Sequence, residues 1–297
     1  MRRFQNNLLE WLRAYKWVFG SLLTVCSFTF IYFFFRDQQV TWNIFERLSW
    51  VNTLGMSFVL CIPVWLTAWV NQSLLIKQGE NASFRTCAEA LALCQIGKYL
   101  PGNIANLIGR IGYLLKAGYR KGNVLKSILH EHLLLVISGA ICSVFVLKKW
   151  EFINDFTGAL LFLGGIVACV LVCIGLKRMG RLHLTLGGSL PSFLLLSLNH
   201  IILGCVLLWL LAIYDISLNE GYLYPVSVIV FSWLGGFLVP GSPGGIGVRE
   251  SLILYFLSGS ISPDQLFIII LIQRVLSVIA DILNFVIGLG MLFLKKG

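Results

Sequence analysis

The chain has 297 residues, 58% of them hydrophobic and 12% charged, with a mean hydropathy of +0.85, where soluble domains carry about 25% charged residues. Thirteen acidic residues cannot solvate the surface of a folded chain this long, and no polar stretch is long enough for an independent soluble unit, so a separate cytosolic catalytic domain is excluded. The net charge of +10 lies in short basic clusters between apolar segments, which is the pattern of topology signals and not of a nucleic-acid surface.

Residues 1–16 place Phe4, Leu8, Trp11, Leu12 and Tyr15 on one helical face beside Arg2, Arg3, Arg13 and Lys16, which predicts an interfacial amphipathic helix. A single transmembrane domain over 17–297 follows. The run at 17–35 ends in Phe35-Arg36-Asp37, without small residues for cleavage, so it reads as a first span and not as a signal peptide. Segments long enough to cross the hydrocarbon, about 20 residues each, are predicted at 17–35, 50–70, 124–147, 158–176, 190–213 and 264–294.

Two further apolar regions are interrupted at their centres. Residues 87–115 are broken at Pro101-Gly102-Asn103, and residues 224–257 at Pro240-Gly241-Ser242-Pro243-Gly244-Gly245-Ile246-Gly247. Proline removes a backbone donor and clashes with the preceding turn, and clustered glycines weaken a helix further, so each region should form two half-helices in a re-entrant hairpin. Such backbone survives at membrane depth only against protein or a wet cavity. With the N terminus inside, Lys77, Arg85, Lys116, Arg120, Lys121, Lys177, Arg178, Arg181, Lys295 and Lys296 fall on the cytoplasmic side, and Arg36, Arg47, Lys148, Lys149, Asp215 and Glu220 outside. Three plain spans separate the hairpins, so the two enter from opposite faces as an inverted repeat, the arrangement of many secondary transporters. An arginine lies nine residues beyond each key proline, Arg110 after Pro101 and Arg249 after Pro240.

Ionisable groups within spans are costly and therefore functional candidates. They are Lys98 and Arg110 flanking the first break, His130-Glu131-His132, Arg249-Glu250, and Arg274 with Asp281, which share one helical face at a seven-residue spacing. An ion pair between these last two is one reading, and a substrate path the other. The histidines flanking Glu131 point about 100° apart on a helix, so they predict a polar network and no metal centre. The cysteines lie almost entirely in apolar segments without CxxC spacing and read as packing residues. At the second break, Pro240, Gly241, Ser242, Gly244 and Gly245 allow close backbone approach ahead of a half-helix N terminus, and Arg249 adds a guanidinium fork, which together predict an anion site. There is no Walker loop or HExxH sequence, Pro240 breaks the nucleophile-elbow pattern around Ser242, and no cofactor is predicted.

The stretch Trp233-Leu234-Gly235-Gly236-Phe237-Leu238-Val239-Pro240 through Pro243-Gly244-Gly245-Ile246-Gly247-Val248-Arg249-Glu250, with Arg274 downstream, resembles the lysylphosphatidylglycerol synthase/flippase transmembrane family. Lys98-Tyr99-Leu100-Pro101-Gly102 to Arg110, then Leu114-Leu115-Lys116-Ala117-Gly118, fits as well, and the likeness covers about residues 90–290. The resemblance implies a bundle with broken helices that moves or accommodates lipids with bulky polar heads. Members that attach lysine carry an added cytosolic domain absent from this chain, so synthase activity is not expected. Asn103 and Asn106 stand where glycines are commoner, and Glu131 with His132 where arginine is frequent.

The reading that follows is an all-α bacterial inner-membrane lipid flippase, non-enzymatic, for a phosphate-containing lipid: a polyprenyl-phosphate-linked sugar or a phospholipid. Arg110, Arg249 and Arg274 would hold the phosphate, with Lys98 and the glycine-rich breaks beside it. Glu131, Glu250 and Asp281 would balance charge or carry a coupling proton. The alternatives are a membrane transferase using a lipid-linked donor, for which Glu151/Asp155 and Asp215/Glu220 are the acidic candidates, and a non-transporting partner of a membrane glycosyltransferase.

Overall fold

The structure is a computed structural model that describes residues 47–99, 105–150, 189–216, 221–239 and 243–294, with Thr157, Leu160, Leu161, Leu163 and Gly164. Its described residues form eight α-helices and no strand: α1 (Trp50–Lys77), α2 (Phe84–Cys94), α3 (Ala105–Lys116), α4 (Lys121–Cys142), α5 (Ser189–Ile213), α6 (Leu223–Leu238), α7 (Val248–Leu257) and α8 (Pro263–Phe293). Four are long and apolar enough to cross a membrane, over Trp50–Lys77, Lys121–Lys149, Leu190–Ile213 and Asp264–Phe293. They coincide with the spans expected at 50–70, 124–147, 190–213 and 264–294. The interfacial helix at 1–16, the span at 17–35 and nearly all of that at 158–176 lie outside the described residues.

Local chemistry explains the helix boundaries. Ser49 and Ser83 stand at the N-caps of α1 and α2 and accept from the Asn52 and Thr86 amides at 3.2 and 3.1 Å, satisfying donors that a first turn leaves unpaired. Pro263 opens α8, where its missing N–H costs nothing.

Both interrupted regions fold as half-helix hairpins. In the first, α2 runs into a 3-10 segment, Gln95–Tyr99, and α3 packs back against α2. In the second, α6 and α7 pack together across a 3-10 turn at Pro243–Gly245. The four arms have 11, 12, 16 and 10 residues, and at about 1.5 Å per residue none reaches across roughly 30 Å of hydrocarbon.

Two spans serve as rulers for the direction of entry. Along α4, Asn123 bonds Gln78 and Glu80 at the mouth of the first hairpin. At its other end, the Cys142 carbonyl accepts from Ser227 and Lys149 lies over the Tyr255 ring at the mouth of the second. Along α8, Arg274 meets the second break, Asp281 the first, Gly288 packs on Ala92 and Leu93, and the Met291 carbonyl accepts from Arg85 at the first mouth. The hairpins therefore enter from opposite ends of the bundle and touch at their tips, where Gly244 lies against the Tyr99 ring. Arg47 and Asp215, both expected outside, lie 3.5 Å apart.

Each hairpin has its own apolar core. Val228, Ile253, Phe256, Leu266 and Ile269 are buried around the second, and Ala88, Ala90, Leu91, Leu114 and Val124 around the first.

Candidate functional site

The α8 helix carries the polar register of the site. Arg274 and Asp281 share a face, but they do not pair with each other. Two helical turns separate them by about 10 Å along the axis, so each reaches a different hairpin tip. Asp281, 4% exposed, accepts from Lys98 Nζ at 2.9 Å, from Gln95 Nε2 at 3.1 Å and from the Tyr99 hydroxyl. Three donors from one 3-10 segment thus converge on a single carboxylate and fix the first tip to α8.

Arg274 does the same for the second tip. Its Nε donates to Glu250, and Nη1 and Nη2 donate to the Gly244 and Gly245 carbonyls at 3.0 and 3.2 Å. Glu250 in turn accepts from the Gly247 N–H at 2.7 Å, a carboxylate in the first turn reaching back to cap its own helix. The break needs glycine on geometric grounds, since Gly244, Gly245 and Gly247 have φ of 59°, 75° and 87°, a region that side chains with a Cβ rarely adopt.

The arrangement redistributes the roles expected for these residues. Arg274 straps the break shut with its fork and is committed to protein acceptors. At the half-helix N terminus expected to face an anion, the Gly247 amide is taken by Glu250. Pro240, Gly241 and Ser242 lie outside the described residues. Arg110 and Glu131, 6% and 1% exposed, form a bidentate pair with Nη1–Oε1 at 2.7 Å. They do not line the cleft described next, so Arg110 is absent from the phosphate-binding group expected of it.

Arg249 differs from these cations. Its guanidinium lies over the Trp233 ring, 5.6 Å from the centroid, and its buried Nε has no hydrogen-bond partner. The side chain threads between two glycines. A Cβ on Gly236 would lie 2.6 Å from Arg249 Cγ, and one on Gly245 2.6 Å from its Nε. Arg249, Glu250 and Arg274 line an open cleft together with Ser232, Trp233, Gln273 and Ser277 on its polar side. Gln273 is 6% exposed and its Nε2 is also unpartnered. Rings continue outward from the cleft: His200 and Phe237 flank Trp233 at 5.3 Å, and His132 lies 5.7 Å from Phe237.

Gln95, Tyr99, Trp233 and Gln273 were not among the expected site residues. A search for ionisable groups passes over neutral amides and aromatic rings. The available signal was a glutamine adjoining an arginine in an otherwise apolar span.

The glycine cradle makes a prediction. Gly236→Ala should displace the Arg249 side chain, because the added methyl also meets the Gly245 Cα at 3.1 Å and that backbone cannot yield. Lipid retention by purified protein is expected to fall, with a stability loss of about 1–3 kcal/mol from overpacking. Gly290→Ala, in α8 with nothing within 4 Å of the new Cβ, should retain lipid and be neutral or stabilising by up to about 1 kcal/mol. Equal behaviour of the two variants would refute the cradle.

No curated protein matches the sequence. A family model described as the lysylphosphatidylglycerol synthase TM region matches residues 17–283, a stretch that includes both hairpins, the cleft and the α8 register. Four membrane-length helices, two opposed half-helix hairpins and this match place the chain in the lysylphosphatidylglycerol synthase transmembrane-region family.

Proposed function

We propose that the chain is a non-enzymatic lipid flippase of a bacterial inner membrane, with its N terminus in the cytoplasm. It binds the phosphate of a membrane lipid, a polyprenyl-phosphate-linked sugar or a phospholipid, in the cleft at Arg249. The observation that carries this reading is a guanidinium with a buried, unpartnered Nε beside a cleft that the second hairpin forms with α5 and α8. A buried unpaired charge is strongly unfavourable in a low-dielectric interior, and an anionic headgroup supplies what the protein does not. Rocking of one hairpin against the other would carry the lipid across, with the Tyr99–Gly244 contact parting at the tips.

Reconstitution in vesicles with a fluorescent polyprenyl-phosphate-linked sugar or phospholipid tests this reading. Wild-type protein should move the lipid between leaflets, and Arg249→Ala should slow it at least about tenfold, equivalent to about 1.4 kcal/mol. Unchanged movement in Arg249→Ala would remove the site assignment.

A further inference from the structure

The ionic groups in the bundle interior can be counted. Among the described residues the interior cations are Lys98, Arg110, Arg249 and Arg274, with Arg85 half exposed at the first mouth, and the anions are Glu89, Glu131, Glu250 and Asp281. Lys98 pairs with Asp281, Arg110 with Glu131, and Arg274 with Glu250. Nearer the first mouth, Arg85 pairs with Glu89 at 2.9 Å. Lys77, Lys116, Lys121, Lys126 and Asp264 lie near helix ends, from which long side chains reach the interface. By sequence, residues 17–35, 100–104, 158–176 and 240–242 contain no Asp, Glu, Lys, Arg or His. Counting Asp, Glu, Lys and Arg, the interior of the described residues therefore carries one surplus positive charge, and Arg249 bears it.

This count, together with Gln273, constrains the ligand. Two buried donors without partners, Arg249 Nε and Gln273 Nε2, belong to residues lining the same cleft. They call for a group that accepts hydrogen bonds. A phosphodiester has acceptor oxygens, no proton to donate and one negative charge, so it brings the interior to neutrality. A phosphomonoester at neutral pH carries about −1.5 to −2, and a diphosphate carries at least as much. Either would leave the interior negative, exchanging one uncompensated charge for another.

We propose, resting on the lipid-binding reading above, that the cleft selects a lipid phosphodiester over phosphomonoesters and diphosphates, with Arg249 supplying the matching charge and Gln273 the second donor. Gln273 is then a specificity-determining residue, because it adds a donor without adding charge.

The test is competition between dioleoyl lipids that differ only in the headgroup, measured by native mass spectrometry on the full chain in nanodiscs. The probes are phosphatidylmethanol, phosphatidic acid and diacylglycerol diphosphate. The methyl diester should be retained at least about tenfold over the diphosphate, which corresponds to about 1.4 kcal/mol. Gln273→Lys raises the surplus to two and should shift the preference toward the diphosphate. Should that variant fail to fold, the wild-type ranking alone decides.

Equal or tighter retention of the diphosphate by wild type, or an unchanged ranking in folded Gln273→Lys, overturns the selectivity while leaving lipid binding intact. If none of the three exceeds dioleoylglycerol, which has no phosphate, the lipid-binding reading itself falls. Displacement of phosphatidylmethanol by an equal concentration of soluble dimethyl phosphate would identify a free phosphodiester and overturn the lipid assignment.

Discussion

Replacing Arg274 with alanine is expected to open the second break and abolish lipid movement. Three donors from this one guanidinium hold Glu250 and the Gly244 and Gly245 carbonyls. Without them, two carbonyls lose their donor and Glu250 keeps only the Gly247 amide. Removing one partner of a buried ion pair costs about 3–5 kcal/mol, because the other charge is left uncompensated. Arg274 is partly accessible, with a quarter of its side chain exposed, so the lower end of that range is expected. Arg274→Lys keeps the charge but loses the fork that grips three acceptors, and should fall between wild type and alanine. Adding Glu250→Gln to Arg274→Ala should recover part of the loss, and a double-mutant cycle on thermal unfolding in detergent measures the coupling. Wild-type stability and transport in Arg274→Ala would refute the strap.

The second large effect is expected at Arg110 and Glu131. This pair lies deeper than Arg274, with side chains 7% and 2% exposed, and the Arg110 Nε already lacks a partner. Glu131→Ala strands a guanidinium in the interior and should cost about 3–5 kcal/mol. Replacing both residues with apolar ones of similar volume, Arg110→Met with Glu131→Leu, should restore most of the stability, because neither desolvation penalty then remains. Chemical unfolding of wild type and the two variants checks the order: wild type and the double variant close together, Glu131→Ala far below. If the single variant matches wild type, the pair is not the buried bridge its geometry indicates. The double variant also tests function, since Arg110 lies outside the cleft lining. Lipid retention should survive it, whereas Arg249→Ala should not.

Most of the architecture could be read along the chain. The lengths of α1, α4, α5 and α8 follow from apolar runs bounded by charge, and the breaks follow from proline and glycine, whose effect on a helix is local. The hairpins at 87–115 and 224–257 were legible for that reason. The site was legible only as an inventory. Most interior cations and anions could be named, because a charge in an apolar span is conspicuous, but buried Glu89 was passed over. Their pairing could not, because it depends on the distance between elements nearly 200 residues apart, as Lys98 and Asp281 are. Arg274 and Arg249 look equivalent in sequence, yet one is committed to three protein acceptors and the other has a buried donor with no acceptor.

Composition and local propensity alone dictated a membrane bundle with two fractured helices, since charge, hydropathy and backbone preference belong to individual residues. Tertiary packing decided which cation is the surplus one. Ion pairs, a glycine cradle and a shared helical face exist only once distant segments are brought within a few ångströms, and that proximity gives Arg274 to the break and leaves Arg249 to the cleft.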